Sequence, residues 1–300
     1  MFSIPRRRYA SLPGQLSKPV RIALFSLLLF SFVINSGRLI QSQWVAATAA
    51  PLPAATNTLR FMSWNAYFLN KNTDGFLHAV AAEQPDLIAI QELGNQLASV
   101  IPEQLRQHYP YQELYPTGSP AGMAVLSRYP FLTTSLPDFD EKQGCNCQVI
   151  TLAIEGTTVT LINAHPWPPA FAFTWSGHWS DVFGLDTAPQ DPIFDALLAR
   201  IEEATGPLLV MGDLNTMPFQ PNVQRLQAIL TDSFMEAGTG MGYTFPLEGK
   251  DYNFPPIPFM RIDYIFHDAA WTTTAMTVGT IEGSDHRYIV ADLVLRNAKE

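Results

Sequence analysis

The chain has 300 residues, of which 47% are hydrophobic and 12% aromatic, a composition that argues against a disordered protein and suffices for a packed core. Residues 1–50 contain six basic and no acidic residues, so residues 51–300 retain twelve basic against 27 acidic residues, a net charge of −15. Such an acidic domain disfavours high-affinity DNA binding, which depends on neutralising phosphates, although a nuclease with a metal-filled cleft stays open.

The N-terminal segment has the pattern of a targeting sequence. Five positive charges precede an apolar run at residues 22–34, which fits the hydrophobic region of a signal peptide and falls short of the roughly 20 residues that span a bilayer. Ala47-Thr48-Ala49 is a candidate cleavage site far from that run, so an uncleaved membrane anchor is the alternative. We predict a signal peptide or anchor plus linker at residues 1–50, one domain at residues 51–300, and an extracytoplasmic protein, secreted or membrane-anchored.

The remaining sequence mixes strands and helices. Alternating or apolar runs predict strands at residues 60–65, 86–91, 122–127, 149–154, 158–163, 208–211, 261–266, 273–278 and 288–295. Amphipathic runs predict helices from residue 73 or 74 to about 84 and at residues 95–108, 191–204 and 223–230. Hairpin-like neighbours argue against a pure βαβ repeat and favour sheets packed together with helices outside.

The two cysteines, Cys145 and Cys147, have no assigned role at this stage. In an oxidising compartment they could form a disulfide, although a bridge that spans so few residues is strained. Two thiols alone are a weak indication of a metal site.

Polar residues of the kinds that bind metals stand at the ends of the apolar strands, where loops project from a rigid scaffold. Each one alone has a structural explanation; an Asp-x-Asn after a strand, for example, is usually a turn. Six strand ends that each present a carboxylate, an amide or an imidazole are improbable in a merely structural protein. The residues concerned are Asn65, Glu92, His165, Asp213 with Asn215, Asp263, and Asp285 with His286.

These residues lie in six of seven short motifs that occur in a defined order: Ser63-Trp64-Asn65, Ile90-Gln91-Glu92, residues 122–128, Asn163-Ala164-His165, Gly212-Asp213-Leu214-Asn215, Arg261-Ile262-Asp263-Tyr264 and residues 283–287. The set resembles the motifs of the endonuclease/exonuclease/phosphatase superfamily over roughly residues 58–296. The resemblance implies an α/β fold of the deoxyribonuclease I type. This fold is a four-layer α/β/β/α sandwich in which two mixed β-sheets pack face to face with helices outside. Residues 51–300 would form its catalytic domain.

The resemblance also implies a metal ion. Water attacks the phosphoester in line in this family, and a hard cation stabilises the negative charge that develops. Glu92 would be the main Mg²⁺ ligand, assisted by Asn65 and Asp285, with Mn²⁺ as an alternative ion.

The other family positions would handle the water and the phosphate. Asp213 would orient or deprotonate the water, and Asn215 would hold the phosphate through its amide. His286 and His165 would donate hydrogen bonds to the phosphate, one of them as general acid. Asp263 would fix the tautomer of His286, and Glu113 is suggested as the corresponding partner of His165.

Two features favour substrates other than damaged DNA. Ala66 and Tyr67 follow Asn65, so the acidic residue that abasic-site endonucleases place there is missing. Two loops rich in aromatic residues and proline, residues 166–179 and 252–260, flank the predicted cleft. They could contact a lipid-like leaving group or a membrane, pack on each other and close the cleft, or stack on bases.

The sequence therefore predicts an exported, divalent-metal-dependent phosphoesterase that acts on a phosphodiester or phosphomonoester. Its substrate would be a nucleic acid, a lipid or a nucleotide. A sphingomyelinase-like or phospholipid phosphodiesterase at a membrane surface is the main alternative, with membrane contact through the N-terminal segment and the apolar loops. A non-catalytic binding module on the same fold is disfavoured because the motif residues are all present. No protein partner is indicated.

Overall fold

The computed structural model describes residues 58–135, 144–172, 184–186, 188–247 and 257–296. The predicted targeting segment lies outside these residues, as does part of each aromatic loop. Within the described part of the chain, no helix is both long and apolar enough to cross a bilayer.

The described residues form fourteen strands and five α-helices. The strands are β1 (Thr58–Asn65), β2 (Leu87–Gln91), β3 (Tyr111–Tyr115), β4 (Met123–Ser127), β5 (Phe131–Thr134), β6 (Cys147–Ile154), β7 (Thr157–Ala164), β8 (Ala170–Ala172), β9 (Gly184–Asp186), β10 (Leu208–Asp213), β11 (Thr231–Asp232), β12 (Asp263–His267), β13 (Trp271–Thr280) and β14 (Arg287–Leu295). The helices are α1 (Thr73–Glu83), α2 (Asn95–Leu105), α3 (Asp191–Glu203), α4 (Pro221–Gln227) and α5 (Ser233–Ala237), with a short 3-10 helix at Ala188–Gln190.

Two six-stranded sheets form the body of the fold. The first has the order β13-β14-β1-β2-β4-β3 and the second β11-β12-β10-β7-β6-β5. Each sheet is mixed, because β1 runs parallel to β2 and β7 runs parallel to β10 while the other neighbours are antiparallel. The predicted α/β class with two mixed sheets is confirmed.

Strand periodicity produces the layers. Successive side chains of a strand point to opposite faces, and in β1 Phe61 joins the apolar cluster between the sheets while Met62 and Trp64 join the cluster beneath the helices. Helices α1 and α2 cover the outer face of the first sheet, and α3 and α4 cover that of the second. The result is the predicted four-layer sandwich with helices outside.

The element boundaries differ from the prediction in a few places. Strands β3 and β5 were not predicted because they lie at sheet edges, where half-exposed residues give no clear apolar alternation. Helix α2 ends at Leu105 rather than at residue 108, and the helix predicted at residues 223–230 is α4, Pro221–Gln227, with proline in its first turn.

A buried polar link joins the two sheets near one end of the sandwich. The Gln91 side chain of β2 donates a 2.7 Å hydrogen bond to Asn163 Oδ1 of β7. Asn163 Nδ2 in turn donates to the carbonyl oxygens of Ile90 and Ala124, both at 3.1 Å. Because Gln91 and Asn163 immediately precede Glu92 and the Ala164-His165 pair, this link fixes the ends of both sheets relative to each other. We call this end of the sandwich the site end.

Candidate active site

The residues predicted from the strand ends converge at the site end. Parallel pairing puts Asn65 opposite Gln91 in the first sheet and Gly212 opposite Ala164 in the second. Glu92 and Asn215 then turn through left-handed backbone, with φ of 52° and 51°, a conformation uncommon outside glycine. These turns bring the side chains of both sheets into one buried cluster.

Gly212 allows the two strands of the second sheet to meet closely just before Asp213. Its φ is 146°, and a Cβ atom built on it would lie 1.9 Å from the carbonyl oxygen of Ala164. No side chain fits there, so glycine is required for the approach of β10 to β7.

The Asp213 carboxylate is the centre of the cluster, and its two oxygens do different things. Oδ1 accepts the backbone N–H of Asn215 at 2.8 Å, which is the turn expected of an Asp-x-Asn sequence. Oδ2 accepts from Asn65 Nδ2 at 3.0 Å and faces Nε2 of His165 at 3.5 Å and of His286 at 3.6 Å. The Asp-x-Asn sequence therefore forms the expected turn, and the chemical role of its residues stays a prediction.

Charge balance keeps Asp213 ionised. Burial raises the pKa of Asp213, but the positive charge of His286, then His165 and the Asn215 N–H, outweigh burial and lower it below its ordinary value. For His165, burial lowers the pKa because it disfavours the charged ring. The negative charges of Asp213 and, to a smaller extent, Glu92 outweigh burial, so the pKa of His165 is raised.

His286 is held on both sides by carboxylates. Its Nδ1 lies 3.0 Å from Asp263 Oδ2, the contact predicted for a carboxylate that fixes a catalytic imidazole. Burial lowers the pKa of His286, but Asp263 and then Asp213 raise it to about 10, so the ring is a cation at neutral pH. The Phe245 ring packs against it with centroids 4.7 Å apart, and burial raises the pKa of Asp263.

His165 has different partners from the one suggested. Its Nε2 faces Asp213 and Glu92, the latter at 3.8 Å. Glu113 instead accepts a hydrogen bond from Tyr115 at 3.0 Å on the edge strand β3. The suggestion that Glu113 supports His165 is therefore wrong, because β3 is separated from β2 by β4 and lies at the sheet edge.

The carboxylates Glu92 and Asp285 fit a hard divalent cation. Burial raises the pKa of Asp285 to about 6; the His286 cation opposes this, while the negative charge of Glu92 adds to it. Two carboxylates that repel each other in a poorly hydrated space are stabilised by a cation between them. Among the described residues, the side chains whose ligand atoms all lie within 4.8 Å of one another are instead Asp213, Asp263 and His286.

The two asparagines are engaged in the protein. Asn65 Nδ2 bridges Glu92 and Asp213 at 3.1 and 3.0 Å, while its Oδ1 accepts the Tyr67 N–H at 3.0 Å. Asn215 Nδ2 donates to the Pro166 carbonyl at 3.0 Å. Their predicted roles, metal ligand for Asn65 and phosphate ligand for Asn215, stay predictions.

The sequence motifs contained supporting residues to which no role was given. Ser284 Oγ donates to the Asn65 carbonyl at 2.7 Å and accepts the His286 N–H at 3.0 Å, so it ties two site segments together. Asn163 links the sheets as described above. Both are polar residues within the motifs that contain the candidate catalytic residues, and both are fully buried. Their place in these motifs is the sequence signal that could have identified them.

The described parts of the aromatic loops are next to site residues in the sequence, and the Pro166 carbonyl of the first loop accepts a hydrogen bond from Asn215. The Trp167 carbonyl accepts a 2.7 Å hydrogen bond from Gln190. Ile257 and Phe259, just before Asp263, are 66% and 41% exposed. Residues 173–179 and 252–256 of these loops lie outside the described residues, and the choice among the predicted roles of the loops stays open.

An α/β sandwich that gathers carboxylates, amides and two imidazoles at one end is suited to the hydrolysis of phosphoesters. The model of the Endonuclease/Exonuclease/phosphatase family matches residues 62–286, and the chain belongs to this family. Membership supports a hydrolase that acts on phosphoester bonds and confirms the resemblance seen in the motifs. No curated protein matches the sequence of the chain.

Solved structures show the same fold at low sequence identity. An endonuclease/exonuclease/phosphatase from Beutenbergia cavernae is 20% identical, with 80% of this chain and 72% of that chain covered and a TM-score of 0.59. An endonuclease/exonuclease/phosphatase from Bacteroides vulgatus is 18% identical, with 80% of this chain and 100% of that chain covered and a TM-score of 0.60. TDP2 of D. rerio in complex with a single-strand DNA product is 18% identical, with 79% of this chain and 99% of that chain covered and a TM-score of 0.61.

Proposed function

We propose that this protein is an exported, divalent-cation-dependent phosphoesterase that hydrolyses a phosphodiester or phosphomonoester by in-line attack of an activated water. The observation that carries the proposal is the position of Asp213 Oδ2, which lies within 3.6 Å of Asn65, His165 and His286. An ionised carboxylate between two imidazoles is equipped to move a proton.

The side chains divide the work as follows. Asp213, ionised at neutral pH, accepts the proton of the attacking water. His286, kept protonated by Asp263 and Asp213, donates from Nε2 to the phosphoryl or leaving oxygen, and His165 donates a second hydrogen bond to the phosphoryl group. Asn215 adds its amide on the same side.

Glu92 and Asp285, with Asn65 beside them, are the residues that would hold the cation, and Mg²⁺ or Mn²⁺ suits their oxygen donors. A bound cation supplies charge neutralisation for the phosphoryl oxygens and the leaving group.

The substrate class has two candidates. A nuclease is supported by family membership and by the DNA product bound to D. rerio TDP2. A lipid phosphodiesterase is supported by four exposed apolar side chains that lie near site residues in the sequence: Leu69 after Asn65, Phe219 after Asn215, and Ile257 and Phe259 before Asp263, between 41% and 66% exposed. The net charge of −15 over residues 51–300 also disfavours a polyanionic substrate.

Hydrolysis of bis-p-nitrophenyl phosphate tests the activity. We expect turnover with Mg²⁺ or Mn²⁺, none after EDTA, and recovery when the ion is restored. The same preparation, assayed on single-stranded DNA, RNA, sphingomyelin vesicles, phosphoinositides and nucleotides, identifies the substrate class. A folded protein that is inactive on every substrate with either ion would contradict the proposal.

Export is tested separately. Cell fractionation of the expressed full-length chain should find the product outside the cytoplasm. N-terminal sequencing should then show either a secreted product that starts near residue 50 or a membrane-bound product with residue 1 intact. Accumulation in the cytoplasm would contradict export without touching the enzymatic proposal.

A further inference from the structure

The Cys145–Cys147 disulfide lies directly beside the site. The two cysteines, separated by a single residue, are bonded to each other and are each 1% exposed. Cys147 pairs with Ala164 at the end of the β6–β7 ladder. The bridge therefore lies next to the end of β7, which His165 directly follows. No step of the proposed reaction uses the bridge.

The bridge closes a bend in the backbone. An extended strand advances about 3.3 Å per residue, which would separate residues 145 and 147 by about 6.6 Å, whereas their Cα atoms are 5.2 Å apart. The shortening occurs at Asn146, whose φ is 44°. In this left-handed region non-glycine residues are uncommon and need a local reason.

The Asn146 side chain does not supply that reason. Asparagine usually adopts this conformation when its side chain bonds the nearby backbone. Here Oδ1 and Nδ2 are buried and have no hydrogen-bond partner among the described residues. The covalent link between its two neighbours is a constraint that can keep the bend.

The bend has a direct effect on His165. At the bend, the carbonyl oxygen of Asn146 accepts the backbone N–H of His165 at 2.8 Å. This hydrogen bond lies beyond the last pair of the β6–β7 ladder, Cys147 with Ala164, and anchors the backbone from which the imidazole reaches Asp213 and Glu92.

We propose that the Cys145–Cys147 disulfide positions His165. Because of this role, thiol reductants should slow phosphoester hydrolysis. The proposal rests on the proposed function, in which His165 contacts the phosphoryl group. Reduction adds two electrons and two protons to the bridge while a dithiol reductant leaves as its cyclic disulfide. Asn146 is then released to extended backbone, and His165 loses its backbone hydrogen bond and its alignment.

A double-mutant cycle tests this inference. We compare wild type, Cys145→Ser/Cys147→Ser, His165→Ala and the triple variant by kcat and KM for bis-p-nitrophenyl phosphate. Opening the bridge should lower kcat by about ten- to a hundred-fold, as misplacement of a site residue by about 1 Å does, with little change in KM. The same change should have no further effect in the His165→Ala background. A purely stabilising bridge would lower the active fraction equally in both backgrounds and would overturn the proposal.

Asn146→Gly serves as the matched control. Glycine tolerates a positive φ and keeps the carbonyl, so the oxidised variant should retain wild-type kcat. A loss of kcat with the bridge intact would show that the asparagine side chain acts instead, and it would overturn the proposal.

A spectroscopic measurement covers variants that fail to fold. The backbone amide resonance of His165 in wild-type protein should shift on addition of dithiothreitol, while amides of α1 stay unchanged. An unchanged His165 amide in protein with both thiols free would overturn the inference. An inactive but oxidised wild type would instead contradict the proposed function.

Discussion

At the scale of single residues, the site depends on one carboxylate that serves a backbone turn with one oxygen and two imidazoles with the other. The two tasks of Asp213 can be separated by substitution. Asparagine keeps an acceptor for the Asn215 N–H but removes the negative charge that faces His165 and His286.

Asp213→Asn should therefore lower kcat on bis-p-nitrophenyl phosphate by about 10²–10⁴-fold, the usual contribution of a general base, while circular dichroism shows an intact fold. Asp268→Asn is the matched control. Asp268 also caps backbone amides, accepting from Ala270 and from Leu208 at the opposite end of β10, and its substitution should leave kcat unchanged. Turnover near wild type in Asp213→Asn would refute the role of Asp213.

Metal binding should depend on pH through Asp285. Burial, together with Glu92 and against His286, raises the pKa of Asp285 to about 6, and a cation binds the deprotonated carboxylate. Below pH 6 the ion must displace a proton, so affinity for Mn²⁺ should fall about tenfold per pH unit, while above pH 6 it should be constant. Calorimetric titration at pH 7 and 5 measures this.

Asp285→Asn provides the comparison for this titration. The amide has no proton to lose near pH 6, so the variant should bind Mn²⁺ more weakly but with less pH dependence. Equal wild-type affinities at pH 7 and pH 5 would exclude Asp285 as a ligand.

At the scale of elements, the approach of β10 to β7 depends on Gly212. Gly212→Ala places a methyl group against the Ala164 carbonyl and forces a positive φ on alanine. We expect a loss of about 3 kcal/mol or more in the free energy of unfolding, measured by urea denaturation, together with loss of activity.

Gly118→Ala is the control for this prediction. A Cβ atom at residue 118 meets nothing within 4 Å, so stability and activity should stay close to wild type. A Gly212→Ala protein as stable as Gly118→Ala would show that the strands can separate at no cost.

The strand ends were predictable because the central strands are apolar and the chemistry follows them directly. Asn65 and Asp213 end such strands and His286 precedes one. Parallel pairing aligns the ends of β1 with β2 and of β10 with β7, and antiparallel pairing starts β14 beside the end of β1. The edge strands β3 and β5 were missed since half-exposed residues carry no periodic signal. The error about Glu113 has the same origin: without β3, nothing indicated that this residue sits at the far edge of the first sheet.

Contacts between distant segments could not be predicted from local pattern. The resemblance to a family supplied the pairing of Asp263 with His286, which periodicity alone does not contain. Neither source indicated that the bond between Cys145 and Cys147 would lie against the backbone of His165, because that contact arises only when β6 and β7 pair in register.

At the scale of the whole molecule, the two sheets are joined through Asn163. Asn163→Ala removes the acceptor of Gln91 and leaves the Ile90 and Ala124 carbonyls without this donor. The free energy of unfolding should fall by about 2–3 kcal/mol, since buried polar groups are left unpaired. The value of kcat should also fall, because the two sheets that carry the site residues are no longer held in a fixed relative position.

Gln112→Ala is the matched control for the inter-sheet link. Among the described residues, the Gln112 side chain donates one hydrogen bond, to the Tyr109 carbonyl at 2.9 Å, near the sheet edge. Its loss should cost about 1 kcal/mol and leave kcat intact. Chemical denaturation of both variants distinguishes a link between sheets from an ordinary side-chain hydrogen bond, and equal losses would contradict the role of Asn163.

The position of β14 bears on when such an enzyme becomes active. This strand, the last described element of the chain, lies between β13 and β1 in the interior of the first sheet, and His286 directly precedes it. The first sheet can therefore close, and the His286 imidazole can reach Asp213, only after β14 has been synthesised. We therefore expect chains that end before residue 286 to lack hydrolytic activity, because they contain neither His286 nor the strand that places it.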